Sequence, residues 1–130
     1  MIVVSQRVRA VREHRRLTRQ ELAHRAGLSP STITLLEKRN RFPRGDTVEK
    51  IAGVLEVSLD FLWGKEDAAV ALPQALARQS LRLFLRDNQV SEEQERFLNR
   101  VRGRASAPET VGGWHDLLLN LAIFESMVAK

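Results

Sequence analysis

Apolar residues recur three and four positions apart along most of the chain, which is the spacing of one face of an α-helix. No run of alternating apolar and polar residues interrupts this pattern, so the sequence predicts an all-α protein. We predict five helices within residues 1–64 and three more within residues 72–130. Residues 65–71 have no periodicity and are predicted to be a linker between two domains.

Two predicted helices begin with the sequence pattern of a capping box. Thr18 is followed three positions later by Glu21, and Ser91 is followed at the same spacing by Gln94. In this motif each residue of the pair bonds the backbone N–H of the other. Gly27, after the second helix, can adopt the positive φ that often ends a helix. These signals predict a second helix over residues 18–26 and a seventh over residues 91–102.

Single residues mark other predicted boundaries. Ser5 is the candidate cap of the first helix, and Ser29 precedes Pro30 at the start of the third. Residues 103–113 contain three glycines and a proline, and they are predicted to form an exposed loop. The last helix is therefore expected to begin at Trp114.

The net charge of +5 is distributed unevenly. Residues 1–65 hold 13 Lys/Arg against 7 Asp/Glu, whereas residues 66–130 hold 8 against 9. This asymmetry suggests a module that binds a polyanion, joined to a region with another task. No apolar run approaches the ~18–20 residues of a membrane helix, and the first few residues are too short for a signal-peptide core. We therefore expect a cytoplasmic protein with no membrane partner.

Catalytic and metal chemistry find little support in the sequence. Cysteine is absent, which excludes disulfides, thiolate metal sites and a cysteine nucleophile. His14, His24 and His115 stand alone, without the spacing of a zinc site, and no glycine-rich phosphate loop is present. We expect no enzyme activity, no metal and no cofactor.

Two short helices around Gly27 make residues 18–38 a candidate helix-turn-helix. Ile33 and Leu36 supply an apolar inner face for the second helix. At the N-terminus of the first, Arg19 and Gln20 can donate hydrogen bonds to a phosphate. Basic residues flank the pair, namely Arg39, Arg41 and Arg44.

Several sequence blocks resemble the Xre family of repressors, which includes phage Cro and CI. The blocks are LTRQELA (17–23), AGLSPSTIT (26–34), EK (37–38), RFP (41–43), KIA (50–52), VSLD (57–60) and LWG (62–64). The resemblance covers residues 5–64. It implies a five-helix DNA-binding domain in a homodimeric repressor that binds a palindromic operator on double-stranded DNA. Such a repressor is expected to be associated with the nucleoid when it is bound to DNA.

The resemblance also implies roles for individual residues. The family's recognition helix maps onto residues 29–38, and its outward positions are candidates for base contacts: Pro30, Ser31, Thr34, Leu35 and Lys38. Candidate phosphate contacts are Arg19, Gln20, Ser29, Arg39 and Arg41. Arg12 and Glu37 match an internal ion pair of the family, which could also orient Arg12 toward a phosphate.

Two positions depart from the family pattern. Arg19 stands where a glutamine is usual, which favours phosphate binding over an amide-bridged base contact. Arg39 stands where a glycine usually follows the recognition helix. Because a left-handed conformation is costly for arginine, we expect the turn at Asn40 instead.

The C-terminal half carries a wide apolar stripe at helical spacing, interpreted partly as core and partly as a dimer surface. The candidate interface residues are Trp114, Leu117, Leu118, Leu121 and Phe124. The order of LPQALA (72–77), VRG (101–103) and WH (114–115) resembles the DdrO radiation-response repressors and the phage-type ImmR repressors. That resemblance implies a small helical dimerisation domain, a role in the response to DNA damage or stress, and cleavage between Val101 and Arg102 by an IrrE- or ImmA-type metallopeptidase.

Two alternatives stay open at this stage. The chain could be an antitoxin whose C-terminal helices neutralise a toxin while its N-terminal half regulates its own gene. It could also be an adaptor that uses the helix-turn-helix for protein contacts.

Overall fold

The computed structural model describes residues 3–39 and 44–128, without the side chains of Val3, Arg39 and Phe124. These residues form eight helices and no strand, which confirms the all-α prediction. The helices are α1 (Val3–His14), α2 (Arg19–Ala26), α3 (Pro30–Arg39), α4 (Gly45–Leu55), α5 (Leu59–Leu62), α6 (Leu72–Asp87), α7 (Glu92–Arg102) and α8 (Val111–Val128).

The chain divides into two compact units, an N-terminal unit (Met1–Ala69) and a C-terminal unit (Val70–Lys130). In the N-terminal unit, α2 packs against α3 and α4, while α1 contacts α3, α4 and α5. The core consists of apolar side chains from all five helices, the largest being Leu22, Ile33, Ile51, Leu55, Phe61 and Leu62. Burial of such side chains provides most of the driving force for this fold.

The predicted capping boxes are confirmed at α2 and α7. Thr18 Oγ1 accepts the backbone N–H of Glu21 at 3.0 Å, and the Glu21 carboxylate accepts the N–H of Thr18 at 3.1 Å. Ser91 and Gln94 make the same reciprocal bonds at 3.1 and 2.9 Å. These bonds satisfy N–H groups that have no partner inside the helix.

Four helices of the N-terminal unit are followed within two residues by a residue in the left-handed conformation, and after α5 this residue is Gly64 with φ 82°. Gly27 takes this position after α2 with φ 69°, as the sequence predicts. After α1 and α4 it is taken by Arg16 and Glu56, each with φ 58°. The residue that follows each of them donates its N–H back into the last helical turn, as in Leu17 to Arg12 O at 3.0 Å. Since only glycine adopts this φ freely, the two non-glycine residues store strain.

Two predicted helix starts are wrong. α1 begins at Val3, so Ser5 lies inside the helix rather than at its cap; its hydroxyl is buried and has no hydrogen-bond partner among the described residues. α8 begins at Val111, three residues before Trp114. The helix begins earlier in the chain than predicted because Thr110 caps it: Thr110 Oγ1 accepts the N–H of Gly113 at 3.0 Å, and Thr110 O accepts the N–H of Trp114 at 3.2 Å.

The C-terminal unit packs α6 against α7 and α8 around one small core. Its fully buried members are Ala77, Leu81, Phe84, Leu98 and Trp114. Trp114 Nε1 donates to Ser80 Oγ at 2.9 Å, and Ser80 Oγ donates to Leu76 O at 2.7 Å, so the polar groups of this core are paired. None of the helices in the described part of the chain is both long and apolar enough to cross a membrane.

Candidate nucleic-acid interface

A tight turn joins α2 to α3 and fixes the angle between the two helices. Gly27 N–H donates to the last carbonyls of α2, and Leu28 N–H donates to Ala23 O at 2.8 Å. Ile33 and Leu36 are buried on the inner side of α3, as the sequence predicts. The opposite side of α3 therefore faces away from the core and is free to meet a ligand.

The outward side of α3 carries the candidate base-contact residues. Pro30, Ser31 and Lys38 are exposed, whereas Thr34 and Leu35 are half-buried. A helix with small side chains at its N-terminal end can enter the major groove closely, where hydroxyls bond base edges and apolar groups contact thymine methyls. The five residues lie together on one face.

The start of α3 holds a cluster of three hydroxyls. Ser29 Oγ lies 3.1 Å from Ser31 Oγ and 2.9 Å from Thr32 Oγ1. A hydroxyl rotates freely and can donate or accept. Ser29 and Ser31 are exposed and can exchange these internal bonds for bonds to DNA.

The N-terminus of α2 presents Arg19 and Gln20, both predicted to contact phosphate. Gln20 is exposed and Arg19 is partly exposed. Thr18 satisfies the N–H of Glu21, and so the N–H groups of the two preceding residues remain for an anion. The backbone N–H of Thr18 bonds the Glu21 carboxylate and holds the pKa of Glu21 below its ordinary value of 4.5.

Arg12 and Glu37 form a buried pair between α1 and α3. Arg12 Nε donates to Glu37 Oε2 at 2.8 Å, and Arg12 Nη2 donates to Oε1 at 2.9 Å. These bonds raise the pKa of the Arg12 guanidinium. Arg12 Nη1 donates to Leu17 O at 2.8 Å, and the Arg12 side chain is only 10% exposed. The guanidinium therefore points into the domain, and the idea that this pair also orients Arg12 toward a phosphate is wrong.

Sequence reasoning missed a second partner of Glu37. Arg19 Nε donates to Glu37 Oε1 at 3.1 Å, although the residues come from different helices. Nothing local in the sequence signals this bond, since it depends on how α2 crosses α3. The substitution of arginine for the usual glutamine at position 19 was the available clue.

Two arginines, Arg7 within α1 and Arg15 directly after its last residue, pack on the domain. The Arg7 guanidinium lies 4.4 Å from the centre of the Phe61 ring, and Arg15 Nε donates to Leu55 O at 3.0 Å. Both contacts tie α1 to later helices. Arg44, by contrast, has a side chain that is 88% exposed.

Some predicted phosphate contacts lie outside the described residues. The backbone of Arg39 belongs to the last turn of α3, but its side chain is not described, and neither are Asn40 and Arg41. Their roles, and the predicted turn at Asn40, stay predictions.

The predicted dimer-interface residues do not share one exposed face. Trp114 is fully buried in the core of the C-terminal unit, and Leu117 and Leu118 pack half-buried against that core, so these three residues belong to the part of the stripe that forms core. Leu121 lines a groove with Phe97 and Arg100, and the side chain of Phe124 is not described. Among the described side chains of α8, the large apolar ones that are exposed are Leu119, Ile123 and Met127, spaced four apart and called the outer stripe below, together with Val128 at the helix end.

The predicted cleavage site lies in the last turn of α7. Val101 packs half-buried against the core of the C-terminal unit, and Arg102 is exposed. The bond between them is therefore helical in this structure. A protease that cut there would need the end of α7 to unwind.

Comparison with known proteins supports the helix-turn-helix assignment. Residues 8–62 match the family described as Helix-turn-helix. The immunity repressor protein of Bacillus phage phi105 is 35% identical over 65 residues, which cover 50% of this chain and 45% of the relative. The chain thus spans less than half of the repressor that it matches. No solved structure gives a match. We conclude that residues 8–62 form a helix-turn-helix domain, with α2 and α3 as its helix pair.

Proposed function

We propose that the chain is a sequence-specific DNA-binding repressor that inserts α3 into the major groove. The observation that carries this proposal is the outward side of α3, which presents small polar and apolar residues while its inner side closes the core. The similarity of half the chain to a phage immunity repressor supports the same function. The positive charge of the first 65 residues suits a polyanionic partner.

Base contacts and phosphate contacts have different consequences. Ser31 and Thr34 hydrogen-bond base edges, while Pro30 and Leu35 contact methyl groups, and Lys38 extends the same face. The backbone phosphates of the DNA are bound by Arg19, Gln20 and Ser29, and Arg39 and Arg41 are further candidates for this role. The first set determines which sequence is bound, and the second determines how strongly binding depends on salt.

We propose further that two chains bind one palindromic operator. Two recognition helices then lie about 34 Å apart, one turn of the double helix. The outer stripe of α8 is the surface that we assign to pairing, because it is apolar and exposed. A homodimer that buries this stripe removes three large apolar side chains from water.

For regulation, we propose cleavage between Val101 and Arg102 by a metallopeptidase during DNA damage or another stress. A cut there would separate α8, and with it Trp114, from the core residues on α6 and α7. The remaining helices could not keep a closed core, and the dimer surface would be lost. Mass analysis after incubation with an IrrE-like peptidase tests this part; an intact chain would remove cleavage and leave DNA binding untouched.

The DNA-binding proposal is tested by selecting duplexes from a random-sequence library with the full chain. We expect enrichment of a palindrome whose half-sites are centred about 10 base pairs apart. Ser31→Ala should change the enriched bases, whereas Arg19→Ala should weaken binding to every sequence. Arg25→Ala, on the exposed side of α2, is the matched control. Failure to enrich any duplex would contradict the proposal.

A further inference from the structure

The buried carboxylate of Glu37 is shared by arginines from two different helices. Oε2 accepts Arg12 Nε, while Oε1 accepts both Arg12 Nη2 at 2.9 Å and Arg19 Nε at 3.1 Å. The Glu37 side chain is fully buried, the Arg12 side chain is 10% exposed and that of Arg19 is 30% exposed. The cluster therefore runs from the interior of the domain to its surface.

The charges of this cluster do not cancel. Arg12 already neutralises Glu37 through two hydrogen bonds, and its third bond, to Leu17 O, also points inward. The cluster of two arginines and one carboxylate keeps one positive charge, which belongs to its more exposed member, Arg19. Only Nε of Arg19 is bound to Glu37, and among the described residues its two Nη groups have no acceptor.

We propose that Glu37 is a positioning residue for DNA binding, whose Oε1 holds Arg19 so that the two Nη groups meet a DNA phosphate at the start of α2. This inference rests on the proposed function above. An arginine that is held before contact loses less conformational freedom when it binds, and the difference for one side chain corresponds to about two- to tenfold in affinity. A guanidinium can serve Glu37 and a phosphate together because its donors form a rigid fork.

Arg19→Lys separates positioning from charge. A lysine keeps the positive charge, but its single ammonium cannot donate along both edges as a guanidinium does. Affinity for a mixed-sequence duplex is measured by fluorescence anisotropy over a range of salt concentrations. We expect about two- to tenfold weaker binding, with the salt slope unchanged because the number of neutralised phosphates is unchanged.

The same exchange is repeated in an Arg12→Met/Glu37→Leu background, which removes the carboxylate and the buried charge that it neutralises. There, Arg19→Lys should have no effect, because nothing holds the arginine. Arg25→Lys, also on α2 but outside the cluster, is the matched control and should have no effect in either background. If the double variant fails to fold by circular dichroism, the comparison of Arg19→Lys with Arg25→Lys in the wild-type chain carries the test.

The outcomes separate the two claims. If Arg19→Lys lowers the affinity for DNA equally in both backgrounds, or does not lower it in the wild-type chain, the positioning role is overturned while DNA binding is left intact. A wild-type chain that binds no duplex at all would overturn the proposed function, and the positioning role with it.

Discussion

The two units treat their apolar surface differently. Among the described residues, the large hydrophobic side chains that are exposed all lie on α8 of the C-terminal unit. The N-terminal unit closes its core with five helices, and the exposed residues on the outward side of its α3 are Pro30, Ser31 and Lys38. This difference suggests a division of labour, in which one unit meets a charged polymer and the other meets an apolar protein surface.

The largest expected effect tests whether each unit has its own core. Trp114→Ala removes the largest buried side chain of the C-terminal unit and leaves the Ser80 hydroxyl without its indole partner. We expect a loss of about 4 kcal/mol from the unfolding free energy of that unit. Urea titrations followed by circular dichroism measure this loss.

Trp114→Phe, which keeps most of the side-chain volume, is the matched control, and it should lower the unfolding free energy of the C-terminal unit much less. Because Trp63 is the other tryptophan of the chain, its fluorescence then reports the N-terminal unit alone. A Trp63 transition that shifts together with that of the C-terminal unit would contradict the idea of two separate cores.

Glu37→Ala is expected to have the largest effect in the N-terminal unit. It leaves the Arg12 guanidinium buried without a counter-charge, which costs about 3 kcal/mol. Glu13→Ala is the matched control, because Glu13 pairs with Arg9 in a bridge where both side chains are more than half exposed. That bridge contributes at most a few tenths of a kcal/mol. If urea denaturation gives equal losses of unfolding free energy for both variants, the claim that burial makes the Arg12–Glu37 pair the stronger one is contradicted.

The outer stripe provides the next prediction. Ile123→Lys places a charge in the proposed pairing surface, and the dimer should weaken by about 2 kcal/mol or roughly 30-fold. Ala122→Lys, at an exposed position beside the stripe, should leave pairing unchanged. Sedimentation equilibrium measures both. A wild-type chain that is monomeric at all concentrations would remove the pairing role of α8.

The left-handed residues predict a pair of opposite effects near 1 kcal/mol. Arg16→Gly should stabilise the N-terminal unit by about 1 kcal/mol, since glycine adopts φ 58° without strain. Gly27→Ala should destabilise it by a similar amount, because a Cβ there meets no atom within 4 Å and only the conformation opposes it. Thermal unfolding measures both changes, and effects of the same sign would contradict the strain argument.

The smallest expected effect distinguishes the two capping boxes by pH. Glu21 has a pKa lowered by the Thr18 N–H, so its capping contribution is complete above its ordinary pKa of 4.5 and is lost as pH falls through the lower folded value. Gln94 does not titrate. Glu21→Gln should therefore reduce the acid sensitivity of the N-terminal unit, as followed by urea midpoints near neutral and acidic pH. The same pH dependence in wild type and variant would contradict this account.

Local signals explain which parts of the fold could be predicted. The capping boxes at Thr18 and Ser91 depend only on residues three positions apart, and the turn at Gly27 depends only on the freedom of φ in glycine. Both features can therefore be predicted from the local sequence. The start of α8 was missed because three glycines between positions 103 and 113 suggested a loop. Thr110 provides a cap there, and a Cβ on Gly113 would lie 2.9 Å from Pro108 Cβ. Glycine therefore serves close packing at that position.

Non-local contacts explain what the sequence could not provide. The apolar residues of α8 lie on nearly every side of the helix, so their spacing alone cannot decide which of them face α6 and α7. Packing places Trp114 in the core and leaves Leu119, Ile123 and Met127 outside. The Arg19–Glu37 bond likewise depends on how two helices cross.

The central claim is that α3 and the start of α2 bind DNA while the C-terminal unit does not. Titration of the isotope-labelled full chain with duplex DNA, followed by amide NMR, tests it directly. We expect salt-sensitive shifts concentrated at residues 19–20 and 29–38, with α6, α7 and α8 unchanged. Shifts centred on the outer stripe, or none at any residue, would contradict the account.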